Sequence, residues 1–183
     1  MFLDFNKKGQ VQVDIKYYAK NVIENYPCHV KPCKCPWNDQ LLTPDANSPV
    51  LNKEEQEVFH STVMQGMFLV KRGRPDAEPA CSYSSTRVQC STEHDRSKLE
   101  KVLGHLLHTI EDVLTLEANN ENNSHWHTDA SFAVHPDMRS HTGDEFTLGK
   151  GCISGSSTKQ KVNARSTTES ELTGVDDKVS KIV

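Results

Sequence analysis

Alternation with a period of two opens the chain: Phe2, Asp4 and Phe5, a turn through Asn6-Lys7-Lys8-Gly9, then Val11 and Val13 predict a β-hairpin. The period then lengthens. Ile15, Tyr18, Val22, Ile23 and Tyr26 recur at helical spacing, with Asp14 placed to cap the helix and Pro27 to stop it. Across 27–50 neither period persists, and Pro27, Pro32, Pro36, Pro44 and Pro49 mark a linker or irregular loop. Asn52 with Glu55 reads as a capping box, opening a helix through Phe59, Val63, Met67 and Val70 that ends near Lys71-Arg72-Gly73. A helix restarts at Arg74-Pro75-Asp76. The most regular helical pattern, Leu99, Val102, Leu103, Leu106, Leu107 and Ile110, predicts a helix over 93–109 with one face buried.

Val113 to Leu116 reads as a short strand, and the polar stretch Asn119 to Ser124 as a domain boundary. Beyond it the period is two again. Trp126, Thr128, Ala130, Phe132 and Val134 alternate with His125, His127, Asp129, Ser131 and Ala133, which predicts a strand with one more apolar face. Two further strands are expected near 143–148 and 152–161, with Gly149-Lys150-Gly151 as the hairpin between them. Two overlapping Ser/Thr-x-x-Glu boxes in 166–171 then open a helix whose apolar positions are Leu172, Val175, Val179 and Ile182. The fold class expected is α+β, with a helical part over 1–118 and a unit of three antiparallel strands and one helix over 124–183.

Composition narrows the picture modestly. A 35% apolar and 25% charged chain of 183 residues has room for a core beside irregular segments. The formal charge of −4 gives no general attraction for nucleic acid or an anionic membrane, so any such contact must be local. No run approaches the roughly 18 apolar residues of a membrane span, and the first residues lack the basic and apolar regions of a signal peptide, so no membrane partner and an intracellular location are expected. The six cysteines then read as reduced thiols. Cys28, Cys33 and Cys35 cluster beside His29, but Cys-x4-Cys-x-Cys is not a zinc-knuckle spacing and no second Cys/His pair follows at finger distance.

The chemistry rests on two carboxylates. Asp129 lies in the first strand of the second unit and Glu171 near the start of its helix, next to Leu172 and four residues before Val175, where it can point over that strand. Carboxylates held together in this way suit magnesium, a hard ion that takes oxygen ligands. A pair of such ions about 3.5–4 Å apart would clamp a displacement at phosphorus, but needs more carboxylates than two. Asp137, Asp144, Asp176 and Asp177 have no periodic reason to face the same point. Lys150, Lys159, Lys161 and Arg165 occur in a stretch without acidic residues between Glu145 and Glu169, and Lys71, Arg72 and Arg74 form a second basic cluster. Trp126 and His127 are candidates for stacking on a base, although a Trp on an alternating strand usually belongs to a core.

Several long stretches carry a family resemblance. His125-Trp126-His127-Thr128-Asp129-Ala130-Ser131-Phe132-Ala133-Val134-His135-Pro136-Asp137, Ser140-His141-Thr142-Gly143, Lys159-Gln160-Lys161 and the run from Arg165 through Glu171 to Asp177 resemble the start of the ribonuclease H module of copia-type LTR retrotransposon polyproteins. Phe59-His60, Arg74-Pro75-Asp76, Thr86-Arg87-Val88 and Leu99 to Leu116 resemble the last helices and connection of the same polyproteins' reverse transcriptase. The resemblance implies a reverse transcriptase thumb and connection remnant followed by a truncated ribonuclease H-like unit. It implies Asp129 and Glu171 as catalytic magnesium ligands, Glu169 as a helix-capping partner and an RNA–DNA hybrid as partner; Lys159, Lys161 and Arg165 are candidate nucleic-acid contacts on local charge alone, against the reading of a solvated face. The rest of the polyprotein is the other implied partner.

The family's later ribonuclease H carboxylates and the polymerase's Tyr-x-Asp-Asp turn have no counterpart in these residues. Val175-Asp176-Asp177 falls in a helical pattern rather than at a hairpin. The parent activity implied is RNA-directed DNA synthesis with magnesium-dependent cleavage of RNA in hybrids, and this chain alone is expected to do neither. The alternatives are a non-catalytic nucleic-acid-binding or assembly fragment and an unfolded pseudogene product. Ala77, where the family has a larger apolar residue, and Gly73 imply weakened packing near the restart of the helix.

Overall fold

The computed structural model describes residues 1–119 and 123–179. The chain is α+β and divides into two compact units, Met1–Leu116 and Glu117–Val183. In the first, β1 (Phe2–Asp4) and β2 (Gln10–Asp14) form the expected hairpin, with Leu3 opposite Val13. Gly9 takes φ +78° in the turn, a conformation that favours glycine. Helix α1 (Lys16–Glu24) starts one residue later than the pattern implies, and Asp14, just before it, accepts the Lys16 N–H at 2.9 Å.

The capping box at Asn52 and Glu55 opens α2 (Lys53–Arg72), and Gly73 closes it. The restart is a 3-10 turn, Pro75–Ala77, leading into α3 (Glu78–Ser85). A second capping box, Thr92 with Asp95, opens α4 (Glu93–His108). On α4, Leu99, Val102, Leu103 and Leu106 are buried as the period predicts. They join Ile15, Val22, Leu69 and Ala80 in one apolar cluster and Leu51, Phe59 and Val63 in a second.

Two readings of this unit change. Packing near the restart is tight rather than weakened, with Ala77 fully buried and Arg74 only 4% exposed. Segment 27–50 is irregular but no linker: Val30 and Leu41 are buried in the main core, and Trp37 and Leu42 pack against it. None of the six cysteines forms a disulfide.

The strand β3 (Leu114–Ala118) crosses the division between the units. Of the segment read as a boundary, 120–122 lie outside the described residues. The second unit is a three-stranded antiparallel sheet in the order β4 (His125–Ser131), β5 (His141–Thr147) and β7 (Ser154–Lys159), with α5 (Thr167–Val179) packed mainly on β4. Strand β4 stops at Ser131, so Phe132 and Val134, expected on its apolar face, stand exposed at 38% each. Gly149 to Gly151 is not a simple hairpin. Gly149 and Lys150 form a two-residue strand, β6, pairing with Ala118 and Glu117. Gly149 and Gly151 reach φ +152° and +78° to admit that detour.

The largest departure is on α5. Its apolar positions Leu172, Val175 and Val179 are exposed at 67%, 48% and 43%, and Ile182 lies outside the described residues. The face against the sheet is Ser170, Gly174 and Lys178, one helical stripe of small or polar residues. The sheet surface beneath explains the choice, since it presents Thr142, Asp144 and the side chain of Gln160 rather than an apolar floor. A Cβ on Gly174 would stand 3.2 Å from Thr142 Cγ2 and 3.5 Å from Ala130 Cβ, so α5 approaches as closely as a glycine allows.

Candidate functional site

Asp129 sits at the fifth position of β4, the edge strand of its sheet. The burial pattern alternates with the pleat: His125, His127, Asp129 and Ser131 are exposed, and Ala130 is buried beneath α5. Asp129 therefore projects on the face away from the helix. Opposite it stands Gly143, where an added Cβ would meet nothing within 4 Å, so its surroundings are open.

The first turn of α5 fixes Glu171. Ser166 Oγ accepts the Glu169 N–H at 3.2 Å, and the Glu169 carboxylate accepts the Arg165 N–H at 2.6 Å, a reciprocal cap displaced by one residue. Ser170 and Gly174 then seat the helix on the sheet, with Gln160 Nε2 donating to both Ser170 O (2.8 Å) and Thr142 Oγ1 (2.9 Å). With α5 so placed, the half-buried Glu171 reaches β4, its Oε1 accepting the Ala130 N–H at 3.4 Å. That N–H points away from the β4–β5 ladder. Glu171 thus meets the outer edge of β4 one residue from Asp129, each carboxylate arriving from its own face of the sheet.

The other acidic residues do not join them. The Asp144 carboxylate, 1% exposed, is ion-paired to Lys178 Nζ at 2.9 Å, and Lys178 also donates to Ser156 Oγ at 2.7 Å. Asp137 pairs with Lys159 at 2.7 Å, and the Lys159 hydrogen bond holds its carboxyl below the usual range. Asp176 and Asp177 are exposed on α5. Among the described residues no group of three or more His, Cys, Asp or Glu side chains is gathered to hold a metal ion. Asp129 and Glu171 are two hard oxygen donors that reach the same strand edge from opposite faces, too few for a two-ion centre.

Of the candidate nucleic-acid contacts, Lys161 and Arg165 are exposed on the connection before α5, whereas Lys159 is engaged by Asp137. Trp126 is half-buried, tilted against Phe146 with ring centroids 5.3 Å apart, and belongs to the sheet rather than to a stacking platform. His127 is exposed beside His125, their rings stacked at 6.4 Å. The cluster Lys71, Arg72 and Arg74 does not form a basic surface. Lys71 pairs with Glu78 at 2.6 Å, and buried Arg74 forks onto both Asp76 oxygens (3.0 and 2.7 Å) and reaches Thr109 O (3.3 Å).

Two features escaped the sequence reading. The Asp144–Lys178 pair was hidden because Lys178 follows Gly174 at helical spacing on a stripe with no apolar residue. The second is a chain of polar groups below β5: His135 Nε2 faces His141 Nδ1 at 3.0 Å, and His141 Nε2 faces Ser157 Oγ at 2.7 Å. Burial, with His135 and Lys178 nearby, pushes the His141 imidazole down to about 4, and burial lowers His135 as well. The lowering favours the neutral form of both rings, and an N–H···N bond between them needs at least one ring neutral as acceptor.

No helix among the described residues is long and apolar enough to cross a membrane. No family model, no curated protein and no solved structure matches the chain.

Proposed function

We propose that the second unit is the opening part of a ribonuclease H-like module and the first unit the end of a reverse transcriptase, both from a copia-type retrotransposon polyprotein. The observation that carries this reading is the reach of Glu171 to the Ala130 amide, which brings it beside Asp129 at a free strand edge. Asp129 and Glu171 would hold magnesium, which supplies charge neutralisation at a phosphodiester of an RNA–DNA hybrid. The residues' own part is to fix the ion at the strand edge. Glu169 and Gln160 position Glu171 by setting the first turn and the seat of α5. With two carboxylates and no polymerase Asp-Asp turn, the 183-residue chain binds magnesium weakly and neither polymerises nor cleaves.

Calorimetric titration of magnesium into the chain, repeated with Asp129→Asn and Glu171→Gln, tests the site. Weak binding that each substitution abolishes supports the reading, and binding that survives both removes it. Magnesium-dependent cleavage of a labelled hybrid, lost in Asp129→Asn, would overturn the inactivity of the chain. A second reading, retention of hybrid without cleavage, rests on exposed Lys161 and Arg165. It predicts binding that weakens steeply with salt.

A further inference from the structure

The irregular segment of the first unit forms a half-open cavity of about 460 Å3 with α4, lined by Trp37, Lys31, Lys98, Lys101, His29 and His94. Its walls are fixed. Cys33 N donates to Gly104 O at 3.1 Å, the Cys33 thiol to Lys101 O at 3.2 Å, and His105 Nδ1 to Lys34 O at 2.9 Å. Lys98 Nζ ties the far side of the segment, donating to Leu41 O at 2.9 Å and Thr43 O at 2.8 Å. The segment's backbone rests directly on Gly104, where any Cβ would collide with Lys31 O. An irregular loop held at so many points forms a preorganised wall rather than a loose cover.

The chemistry of this wall is uneven. Trp37 is packed on one side against the main core and lines the cavity with the rest of its surface. Lys98 is committed to its carbonyls, but the ammonium groups of Lys31 and Lys101 have no hydrogen-bond or ion-pair partner among the described residues. The one carboxylate in the lining, Glu100, accepts the Tyr26 hydroxyl at 3.1 Å and lies 4.0 Å from Arg96. In a chain of net charge −4, two uncompensated cations beside an aromatic surface make a local site for an anion with a planar group. The volume falls within the roughly 300–1,000 Å3 of small-molecule pockets.

We propose that this cavity binds a nucleoside phosphate, its base stacked on Trp37 and its phosphate held by Lys31 and Lys101. The site is independent of Asp129 and Glu171 and stands or falls separately from them.

Replacing Trp126 by Phe leaves Trp37 as the single tryptophan, so its fluorescence reports the cavity in the full chain. At low salt, AMP is expected to quench it saturably, with half-saturation at a concentration about tenfold or more below that of adenosine, because a charged hydrogen bond is lost with the phosphate. Inorganic phosphate should compete with AMP without quenching. Lys31→Gln combined with Lys101→Gln should raise the half-saturation about tenfold or more while leaving the far-ultraviolet circular dichroism unchanged. Phosphorus line broadening of AMP by the unsubstituted chain reads the same binding without the Trp126→Phe background. Absence of quenching and broadening at millimolar AMP, equal response to AMP and adenosine, or a half-saturation unmoved by the double substitution would overturn the proposal.

Discussion

Gly104 lies inside α4, where alanine would ordinarily strengthen the helix by about 1 kcal/mol. The structure reverses the sign. A Cβ at Gly104 would stand under 3.0 Å from the backbone oxygen of Lys31 and 3.1 Å from Cys33 Sγ. Because the first obstacle is backbone, no side-chain rotation relieves it, and segment 31–34 must lift from the helix. Lifting strains or breaks the bonds that seat it: Cys33 N to Gly104 O, the Cys33 thiol to Lys101 O, and His105 to Lys34 O. At about 1 kcal/mol for each of two or three hydrogen bonds, the loss is about 2–3 kcal/mol. Set against the helix gain, Gly104→Ala is expected to destabilise the first unit by about 1–2 kcal/mol. In the Trp126→Phe background, urea unfolding followed by Trp37 fluorescence reads this unit directly. With a slope of roughly 2 kcal/mol per molar, the midpoint should fall by about 0.5–1 M. An unchanged or higher midpoint would mean that the segment does not rest on α4, and would refute the preorganised cavity along with it.

Two further predictions concern the second unit, read through Trp126 with Trp37 replaced by Phe. The folded His141 imidazole is pushed down from 6.5 to about 4, so folding favours the neutral ring. Stability is therefore complete above pH 6.5 and is lost as pH falls from there towards 4. The full shift corresponds to about 3 kcal/mol, which solvent access to the ring reduces to about 1–2 kcal/mol. His141→Gln should flatten the urea midpoint between pH 7 and 5, and a slope equal to that of the parent would exclude His141 as its source. Lys178→Met leaves the Asp144 carboxylate buried without its cation and should cost about 3–5 kcal/mol at pH 7. Adding Asp144→Asn to Lys178→Met should recover part of that loss in thermal melts, whereas additive losses would show that the two side chains do not interact.

What could be read in the sequence were the elements whose local pattern and packing agree. The capping box at Asn52 and the stripe from Leu99 to Leu106 each predict a helix and the face it buries, because the surface they meet is apolar. The three strands of the second unit were legible from the alternation at 125–131 and the glycine-rich turn at 149–151, although the surface they offer α5 is polar. Helix α5 was placed correctly and rotated wrongly. Its apolar stripe Leu172, Val175 and Val179 was taken to face the sheet, but a floor of Thr142, Asp144 and Gln160 selects Ser170, Gly174 and Lys178. Periodicity reports which side of a helix is apolar, and it assigns that side to the core only when the opposing surface is apolar too. The cavity in the first unit was hidden because its segment has no period, and what orders it is long-range hydrogen bonding to α4. The reach of Glu171 towards β4 was expected from its place beside Leu172 and Val175, but it arises instead from its neighbours Ser170 and Gly174, which face the sheet. Its arrival from the face opposite Asp129 was not legible, since it depends on the rotation of α5.

This difference between the two units bears on the candidate metal site. The first unit is held by two apolar clusters, whose burial energy tolerates small displacements. In the second, Ala130 is the one buried apolar residue among those described, and α5 is located by directional contacts: Gln160 to Ser170 and Thr142, and Lys178 to Asp144 and Ser156. Such contacts specify geometry more sharply than apolar packing and contribute less net energy, since each replaces a bond to water. The placement of Glu171 beside Asp129 is accordingly well defined but weakly held. Its bond to the Ala130 amide, at 3.4 Å on the edge of β4, is long for an N–H···O hydrogen bond and longer than those of Thr173 and Lys178 on the same helix. An ion at that edge would compete with one long hydrogen bond only at Glu171.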